Sequence, residues 1–259
     1  MSEIVAVFAE LPVGYLLLFG IWILAMVSLP IWRWIFGDGA VPPAVSAGVY
    51  AQTLLVIVLT AGEMGWAPAL GAALLVGFGG WLLEFVGSRT GVLFGRYEYT
   101  ELMQPQIAHV PVVIPLAWIM MMAPSWAVAQ LLVPDAGAFG FAIVAGGAFV
   151  AWDLFLDPQM VGWGLWTWHD GGSYFGIPWR NFVGWFVGAA VLSFLVYVTV
   201  GPLSLPILPL FAVYVVTWLL ETIGQTFFWN LRGSAAIGFL GMGLFVALVA
   251  FTGAAEALL

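Results

Sequence analysis

Long apolar stretches recur along the whole chain and are separated by short polar segments. A helix needs about 20 mostly apolar residues to cross a bilayer. The pattern therefore predicts an all-α, polytopic transmembrane helix bundle that forms a single integral membrane domain over residues 1–259. The N-terminal stretch lacks a basic region and a small-residue cleavage site, so we predict a first span there and no removed signal peptide. The eight predicted spans are 12–34, 44–62, 67–86, 107–133, 138–156, 181–200, 205–229 and 234–253.

The composition also indicates a membrane protein, and it limits the kinds of catalytic or metal site that the chain can form. Hydrophobic residues make up 64% of the chain and charged residues 7%, whereas a soluble domain has about 25% charged residues. The absence of cysteine excludes disulfides and thiol nucleophiles. With only two histidines, a metal site would have to consist mainly of carboxylates. We expect no metal and no cofactor.

The charge of the chain indicates which partners it lacks. The net charge is −8, and five arginines carry all of the positive charge because lysine is absent. Nucleic-acid binding is excluded, since no basic surface exists to neutralise phosphates. The expected partners are the lipid bilayer and a hydrophobic substrate. An acidic, lysine-free chain fits a halophile as well as a GC-rich genome, so both sources stay open.

The arginines predict the orientation in the membrane, because positive residues favour the cytoplasmic side. Eight spans place all five on one face: Arg33, Arg89, Arg96, Arg180 and Arg232. Acidic residues fall on the opposite face: Glu3, Glu10, Glu63, Asp135 and Glu256. We therefore expect both termini to be extracytoplasmic and the two long loops, 87–106 and 157–180, to be cytoplasmic.

A short motif occurs twice. Trp81-Leu-Leu-Glu84 followed by Gly87 recurs as Trp218-Leu-Leu-Glu221 followed by Gly224, in the third and seventh spans. Four spans separate the two copies, so both helices run in the same direction. The motif predicts two parallel four-helix halves, 1–135 and 136–259, related by a pseudo-twofold axis.

Four carboxylates lie inside or at the ends of the spans: Glu84, Asp153, Asp157 and Glu221. Helical spacing places Asp153 and Asp157 on one face, and Pro158 is predicted to end their helix. Ionisable groups are costly to bury in a membrane, so a group of them predicts a functional site. The structural alternative is that each carboxylate pairs with an arginine from a nearby loop.

These residue types suit acid–base chemistry on an alkene. A carboxyl group in an apolar pocket can stay protonated at neutral pH, while a neighbouring carboxylate acts as base. Aromatic faces stabilise a cation between them. We predict that the four carboxylates are catalytic, with Arg89 and Arg96 holding one of them ionised. The predicted substrate-binding residues are Arg89, Arg96, Tyr97, Tyr99, Trp81, Trp152, His169, Tyr174, Asn181 and Trp218.

Several of these residues fall in motifs that resemble a known family. The motifs are EFVGSRTG at 84–91, FGRYEY at 94–99, DLFLDP at 153–158, GSYFGIP at 172–178 and NFVGW at 181–185. Together they resemble the CruF-type carotenoid 1,2-hydratase family over roughly residues 45–250. The resemblance implies addition of water to the terminal 1,2 double bond of an acyclic carotenoid such as bisanhydrobacterioruberin, lycopene or γ-carotene. We also expect association with other enzymes of carotenoid biosynthesis.

Four other functions are considered beside that of a hydratase. Asp153 and Asp157 echo the aspartate motif of UbiA-type prenyltransferases, but a second such motif and the cations for a diphosphate are missing. An oxygen-dependent membrane hydroxylase needs more histidines than the chain has. A small membrane lycopene cyclase also protonates an alkene and differs only in how the cation is quenched. The alternative that is not an enzyme is a transport or pigment-binding protein.

The predicted topology can be tested with reporter tags. Tags at both termini should report an extracytoplasmic location, because an even number of spans joins them and the arginines set the orientation. A cytoplasmic C-terminus together with an external N-terminus would require an odd number of spans and contradict the prediction.

Overall fold

The computed structural model describes residues 11–254 and confirms the predicted helix bundle. Eight helices in this part of the chain are long and apolar enough to cross a membrane, so the protein is a multi-pass membrane protein. They are α1 (Val13–Phe36), α2 (Val41–Met64), α3 (Trp66–Thr90), α4 (Val113–Leu132), α5 (Gly137–Gly162), α6 (Trp179–Val200), α7 (Ile207–Phe227) and α8 (Arg232–Phe251).

Two small antiparallel sheets lie in the long loops. Strand β1 (Tyr97–Tyr99) pairs with β4 (Trp166–Trp168), and β2 (Gln106–Ile107) pairs with β3 (Val110–Pro111). The second pairing corrects the predicted start of the fourth span. Residues 107–112 are apolar enough to suggest a helix, but they close a hairpin whose turn residues Ala108 and His109 have positive φ. Helix α4 therefore begins only at Val113.

Pro158 does not end its helix, which corrects a second prediction. Helix α5 continues past it to Gly162. A proline inside a helix cannot donate to the carbonyl four residues earlier, here that of Leu154. The Tyr174 hydroxyl donates to this carbonyl oxygen at 2.8 Å and replaces the missing bond. The side chain from the following loop thus allows the helix to continue.

Helix α4 lies at the centre of the bundle. In its most apolar stretch 78% of the residues are buried, compared with 17% in α1. Helix α4 packs against α2, α3, α5 and α7, whereas α1 packs mainly against α2 at the periphery. Helix α5 packs against α4 on one side and against α6 and α8 on others. The middle helices α4 and α5 therefore carry most of the buried positions available for a site.

Side-chain contacts place one set of helix ends together, which we call the loop end. Asn181 at the start of α6 contacts Asp157 near the end of α5, and Ser234 at the start of α8 contacts Gln225 near the end of α7. Arg33, in the last turn of α1, lies over the ring of Trp229 at 5.5 Å. All five arginines lie at this end.

The side of the membrane that the loop end faces stays a prediction, as does the division into halves 1–135 and 136–259. Both chain termini and three of the acidic residues assigned to the other face, Glu3, Glu10 and Glu256, lie outside the described residues.

The support that Tyr174 gives to α5 can be measured by a double-mutant cycle. Tyr174→Phe should lower stability by about 1 kcal/mol, or the melting temperature by about 2–4 °C, because the Leu154 carbonyl loses its donor. In a Pro158→Ala background the helix supplies that donor itself, so the same change should cost much less. Thermal unfolding of the wild-type protein, the two single variants and the double variant in one detergent gives the coupling free energy between Tyr174 and Pro158. Equal losses in both backgrounds would contradict this role for Tyr174.

Candidate active site

Glu84 lies on the inner face of α3 and is 2% exposed. Its carboxyl oxygens accept hydrogen bonds from three side chains. The Tyr97 hydroxyl and the Tyr99 hydroxyl, the latter at 2.9 Å, donate to Oε2, and Trp118 Nε1 donates to Oε1 at 3.1 Å. Burial, and then the negative charge of Glu84, raise the pKa of Tyr97 well above its usual range. Tyr97 therefore remains a donor at neutral pH.

The β1–β4 pairing brings the two tyrosines to Glu84. Side chains alternate along a strand, so Tyr97 and Tyr99 point to the bundle while Glu98 between them is 63% exposed. Tyr97 pairs with Trp168, and Trp168 Nε1 donates to the Phe94 carbonyl oxygen at 2.9 Å. The sheet therefore fixes the loop after α3 against the loop after α5.

Asp153 and Asp157 lie one turn apart on α5 and are 0% and 1% exposed. The Asn181 amide donates to both of them, at 3.4 Å to Asp153 Oδ2 and more closely to Asp157 Oδ2. Trp166 Nε1 donates to Asp157 Oδ1 at 3.1 Å. Two buried acceptors, Asp153 Oδ1 and Asn181 Oδ1, have no hydrogen-bond partner in residues 11–254. A proton on the carboxyl group or a water molecule would satisfy them.

The three carboxylates belong to one cluster, which we call the carboxylate cluster (Glu84, Asp153 and Asp157). Tyr99, which binds Glu84, and Trp166, which binds Asp157, are directly opposite each other on β1 and β4. Their rings meet edge to face with centroids 5.7 Å apart. The cross-strand pair therefore joins the two groups of hydrogen bonds.

The arginines do not neutralise this cluster, which corrects the prediction that Arg89 and Arg96 hold a carboxylate ionised. Arg96 is 67% exposed and pairs with Asp170 at 2.7 Å, and this hydrogen bond holds the pKa of Asp170 below its usual value. Arg89 donates to the Ala108 carbonyl oxygen at 3.2 Å and lies over the Phe85 ring. Both side chains turn along the loops, because the cluster faces the bundle interior. The structural alternative of a carboxylate–arginine pair is therefore also wrong for these three residues.

Aromatic rings enclose the cluster on the side of α4 and α6. Trp118, which binds Glu84, stacks on Trp185 with centroids 4.9 Å apart, and Phe149 lies 5.5 Å from Trp185. The position of Trp118 depends on Gly80, where a Cβ atom would lie 2.6 Å from Trp118 Cγ. The acids are thus next to flat aromatic faces of the kind that stabilise a cation.

Glu221 is not part of this cluster. It is half-buried on α7, and its carboxyl oxygen accepts one hydrogen bond, from Gln225 Nε2 at 3.4 Å. It lines a cavity of about 400 Å³ between α1, α2, α5 and α7, which Trp152 also lines. The repeated motif therefore places its two glutamates in different surroundings.

The remaining predicted binding residues have other contacts. Trp81 Nε1 donates to the Ile107 carbonyl oxygen at 3.4 Å, and Trp218 Nε1 donates to that of Phe239 at 2.9 Å. His169 lies beside Glu98 at the surface. Of the predicted binding residues, Tyr97, Tyr99 and Asn181 bind the carboxylate cluster directly.

Sequence reasoning missed three tryptophans around the cluster. Trp166 belongs to a tryptophan-rich loop whose composition suggests a membrane-surface anchor, so its bond to Asp157 is not evident. Trp118 and Trp185 lie within apolar spans, where one more aromatic residue gives no signal. In residues 11–254, no group of three or more histidine, aspartate and glutamate side chains is arranged to hold a metal ion.

The fold and the site define a polytopic membrane protein with buried acidic groups at one end of its helices. Residues 45–248 match the family described as "Carotenoid biosynthesis protein", and the chain belongs to this family. The predicted family resemblance is confirmed by this match together with a relative from Haloarcula japonica, a bisanhydrobacterioruberin hydratase.

That relative is 28% identical over 126 residues, which are 48% of this chain. The matched region spans 42% of the relative's length. No solved structure matches the chain.

Proposed function

We propose that this protein is a carotenoid hydratase that adds water to the terminal 1,2 double bond of an acyclic carotenoid end group. Membership of a carotenoid biosynthesis family and the name of the Haloarcula relative support this class of reaction. The observation that carries the proposal is the carboxylate cluster. These three carboxyl groups are buried among aromatic rings and have no cationic partner in residues 11–254. Ionisable groups are costly to bury in a membrane, so such a group is expected to have a function.

In the proposed first step, Asp153 donates a proton to the less substituted alkene carbon. Asp153 and Asp157 share one amide donor, and two carboxylates so close together cannot both be ionised cheaply. The pair therefore retains a proton, which fits on the unpartnered Asp153 Oδ1. The alkene electron pair forms the new C–H bond, the carboxyl group becomes a carboxylate, and a tertiary cation remains.

In the second step, water captures the cation. The aromatic faces of Trp118 and Trp185 stabilise the positive charge until a water oxygen forms the C–O bond. Glu84, held as an acceptor by three donors, takes a proton from that water, and the proton returns to the aspartate pair. One water molecule is added in total, so the reaction consumes neither an oxidant nor a reductant.

The substrate end is proposed to reach the cluster from the cavity beside Glu221. Met160 lines this cavity and shares a face of α5 with Asp153 and Asp157, which lie seven and three residues earlier. Methionine side chains are flexible and repack readily, so Met160 can give way to an isoprenoid end. On this view Glu221 helps to bind the end group, and the acid and base come from the carboxylate cluster.

Amide variants test the proposed acid and base. Glu84→Gln and Asp153→Asn keep the side-chain shape but remove the proton chemistry, so conversion should fall by a factor of roughly 10² or more. Conversion is measured by pigment analysis in a host that makes acyclic carotenoids, with protein level measured in the same membranes. Glu98→Gln and Asp135→Asn change exposed carboxylates and serve as matched controls. Near-normal conversion by both site variants would mean that the cluster is structural.

Isotope labelling tests the reaction type. Membranes given an acyclic carotenoid without air should still form the tertiary alcohol, because water supplies the oxygen. In oxygen-18 water the hydroxyl group should carry the label, and under oxygen-18 gas it should not. Label from the gas, or a strict need for air, would indicate a hydroxylase. A ring-closed product without oxygen would indicate a cyclase.

A further inference from the structure

The β1–β4 sheet covers the carboxylate cluster at the loop end. In residues 11–254, five side chains donate hydrogen bonds to the carboxyl groups of the cluster. Two of them, Trp118 and Asn181, belong to helices, and the other three belong to the sheet: Tyr97, Tyr99 and Trp166. The sheet therefore closes the cluster and at the same time supplies most of its donors.

The two faces of this sheet differ in polarity. Side chains alternate along each strand, so Glu98 and Thr167, at the centres of β1 and β4, are exposed on the outer face. The inner face is aromatic and lies against the cluster. Arg96 and His169, directly beside the strands, are exposed as well. The sheet, a single layer of backbone, therefore stands between the carboxyl groups and the water at the loop end.

The proposed reaction needs a route for water. Each turnover consumes one water molecule, but Glu84, Asp153 and Asp157 are buried. The cavity between α1, α2, α5 and α7 has mainly apolar walls, and the hydrocarbon of a bilayer excludes water. The outer face of the sheet, in contrast, is polar and exposed. The sheet is therefore the barrier that water has to cross.

The two strands divide the donors between the carboxyl groups. Strand β1 carries the tyrosines that bind Glu84, Tyr97 and Tyr99. Strand β4 carries Trp166, which binds Asp157. The rings of Tyr99 and Trp166 meet with centroids 5.7 Å apart. Separation of β1 from β4 at this contact would open a path that leads between Glu84 and Asp157.

The sheet is built in a way that allows it to open locally. Its ladder has three residue pairs, and two-stranded sheets are only marginally stable on their own. A glycine with positive φ lies two residues before each strand, Gly95 before β1 and Gly164 before β4. Glycine adopts this conformation at low steric cost, and such positions can serve as hinges. The strands can therefore separate while the helices stay packed.

We propose that β1 and β4 separate in each catalytic cycle and admit water to the carboxylate cluster. The inference rests on the proposed function in one respect, that the admitted water is the one added to the alkene. When the strands pair again, the tyrosines and Trp166 return to the carboxyl groups and exclude further water. The carotenoid end and the water thus enter from different sides, one through the cavity and the other through the sheet.

A disulfide between the strands tests this route. Glu98 and Thr167 are directly opposite each other, and opposite Cα atoms in an antiparallel pair lie about 4.5–5.5 Å apart, within the range of a disulfide. Both side chains point away from the cluster, and the chain has no cysteine of its own. In Glu98→Cys/Thr167→Cys, oxidation should slow formation of the tertiary alcohol at least about tenfold, because the strands can no longer separate. A reductant should restore the rate in the same preparation.

The two single cysteine variants, treated with the same oxidant, are the matched controls and should keep their rate. Mass spectrometry gives the fraction of protein that is linked. If oxidation is incomplete, a short bis-alkylating thiol reagent links the same two residues. An undiminished rate in fully linked protein would overturn the inference.

Exchange of indole N–H groups with heavy water tests the route without the reaction. The Trp118 indole is buried and donates to Glu84, so its hydrogen exchanges only when water reaches the cluster. Followed by NMR on protein with nitrogen-15 tryptophan, this exchange should be at least about tenfold slower in the linked protein, whereas a distorted sheet would speed it. Trp118→Phe identifies the signal. Trp126, which is buried and donates to Ser193 Oγ, is the internal control and should not change.

The two readouts separate this inference from the proposed function. Slower Trp118 exchange in the linked protein, without formation of an alcohol by the wild-type protein, would refute the hydratase and leave the route for water standing. Equal Trp118 exchange in the linked and reduced proteins, with alcohol formed from labelled water, would refute the route and leave the hydratase standing.

Discussion

A bilayer provides no water for buried polar groups, so the polar groups inside this bundle depend on partners within the protein. Two of the prolines inside the helices show how this constraint acts. Pro158 leaves the Leu154 carbonyl without its helical donor, and Tyr174 supplies one at 2.8 Å. Pro124 does the same to the Met120 carbonyl, and the Gln52 amide from α2 reaches it at 3.4 Å. Side chains of neighbouring segments thus complete helices that would otherwise be interrupted.

Because the bilayer supplies no water, buried polar atoms without a partner point to places where something else binds. Glu84 accepts three hydrogen bonds and is fully accommodated, whereas Asp153 Oδ1 and Asn181 Oδ1 are not. In residues 11–254 the buried atoms Trp22 Nε1, Gln130 Oε1 and Thr217 Oγ1 also lack a partner, but none of them touches a carboxyl group of the cluster. Since the carbonyls freed by Pro124 and Pro158 both find donors, the unpartnered Asp153 Oδ1 and Asn181 Oδ1 are the places where a proton or a water molecule fits.

The number of spans could be predicted from the sequence, because it depends on the length of the apolar stretches. The partner of a polar side chain could not, because it depends on the direction in which the side chain points. The eight spans follow from apolar stretches, and the grouping of Asp153 with Asp157 follows from helical spacing. Arg96 is predicted to hold one of the carboxylates ionised, but its partner is Asp170 of another loop. The β1–β4 pairing joins segments about 70 residues apart, and three-residue strands leave no clear pattern in the sequence.

Helix α5 connects the two parts of the site through consecutive residues. Trp152 lines the cavity and Asp153 belongs to the carboxylate cluster, because neighbouring residues project about 100° apart around a helix. Met160 lies at the border between them, so a carotenoid end could be held on one side while water is held on the other. A cation formed at such a border is quenched by whatever nucleophile is nearest. Water bound between Asp153 and Asn181 would make that outcome an alcohol, whereas its exclusion would leave the neighbouring double bond to close a ring.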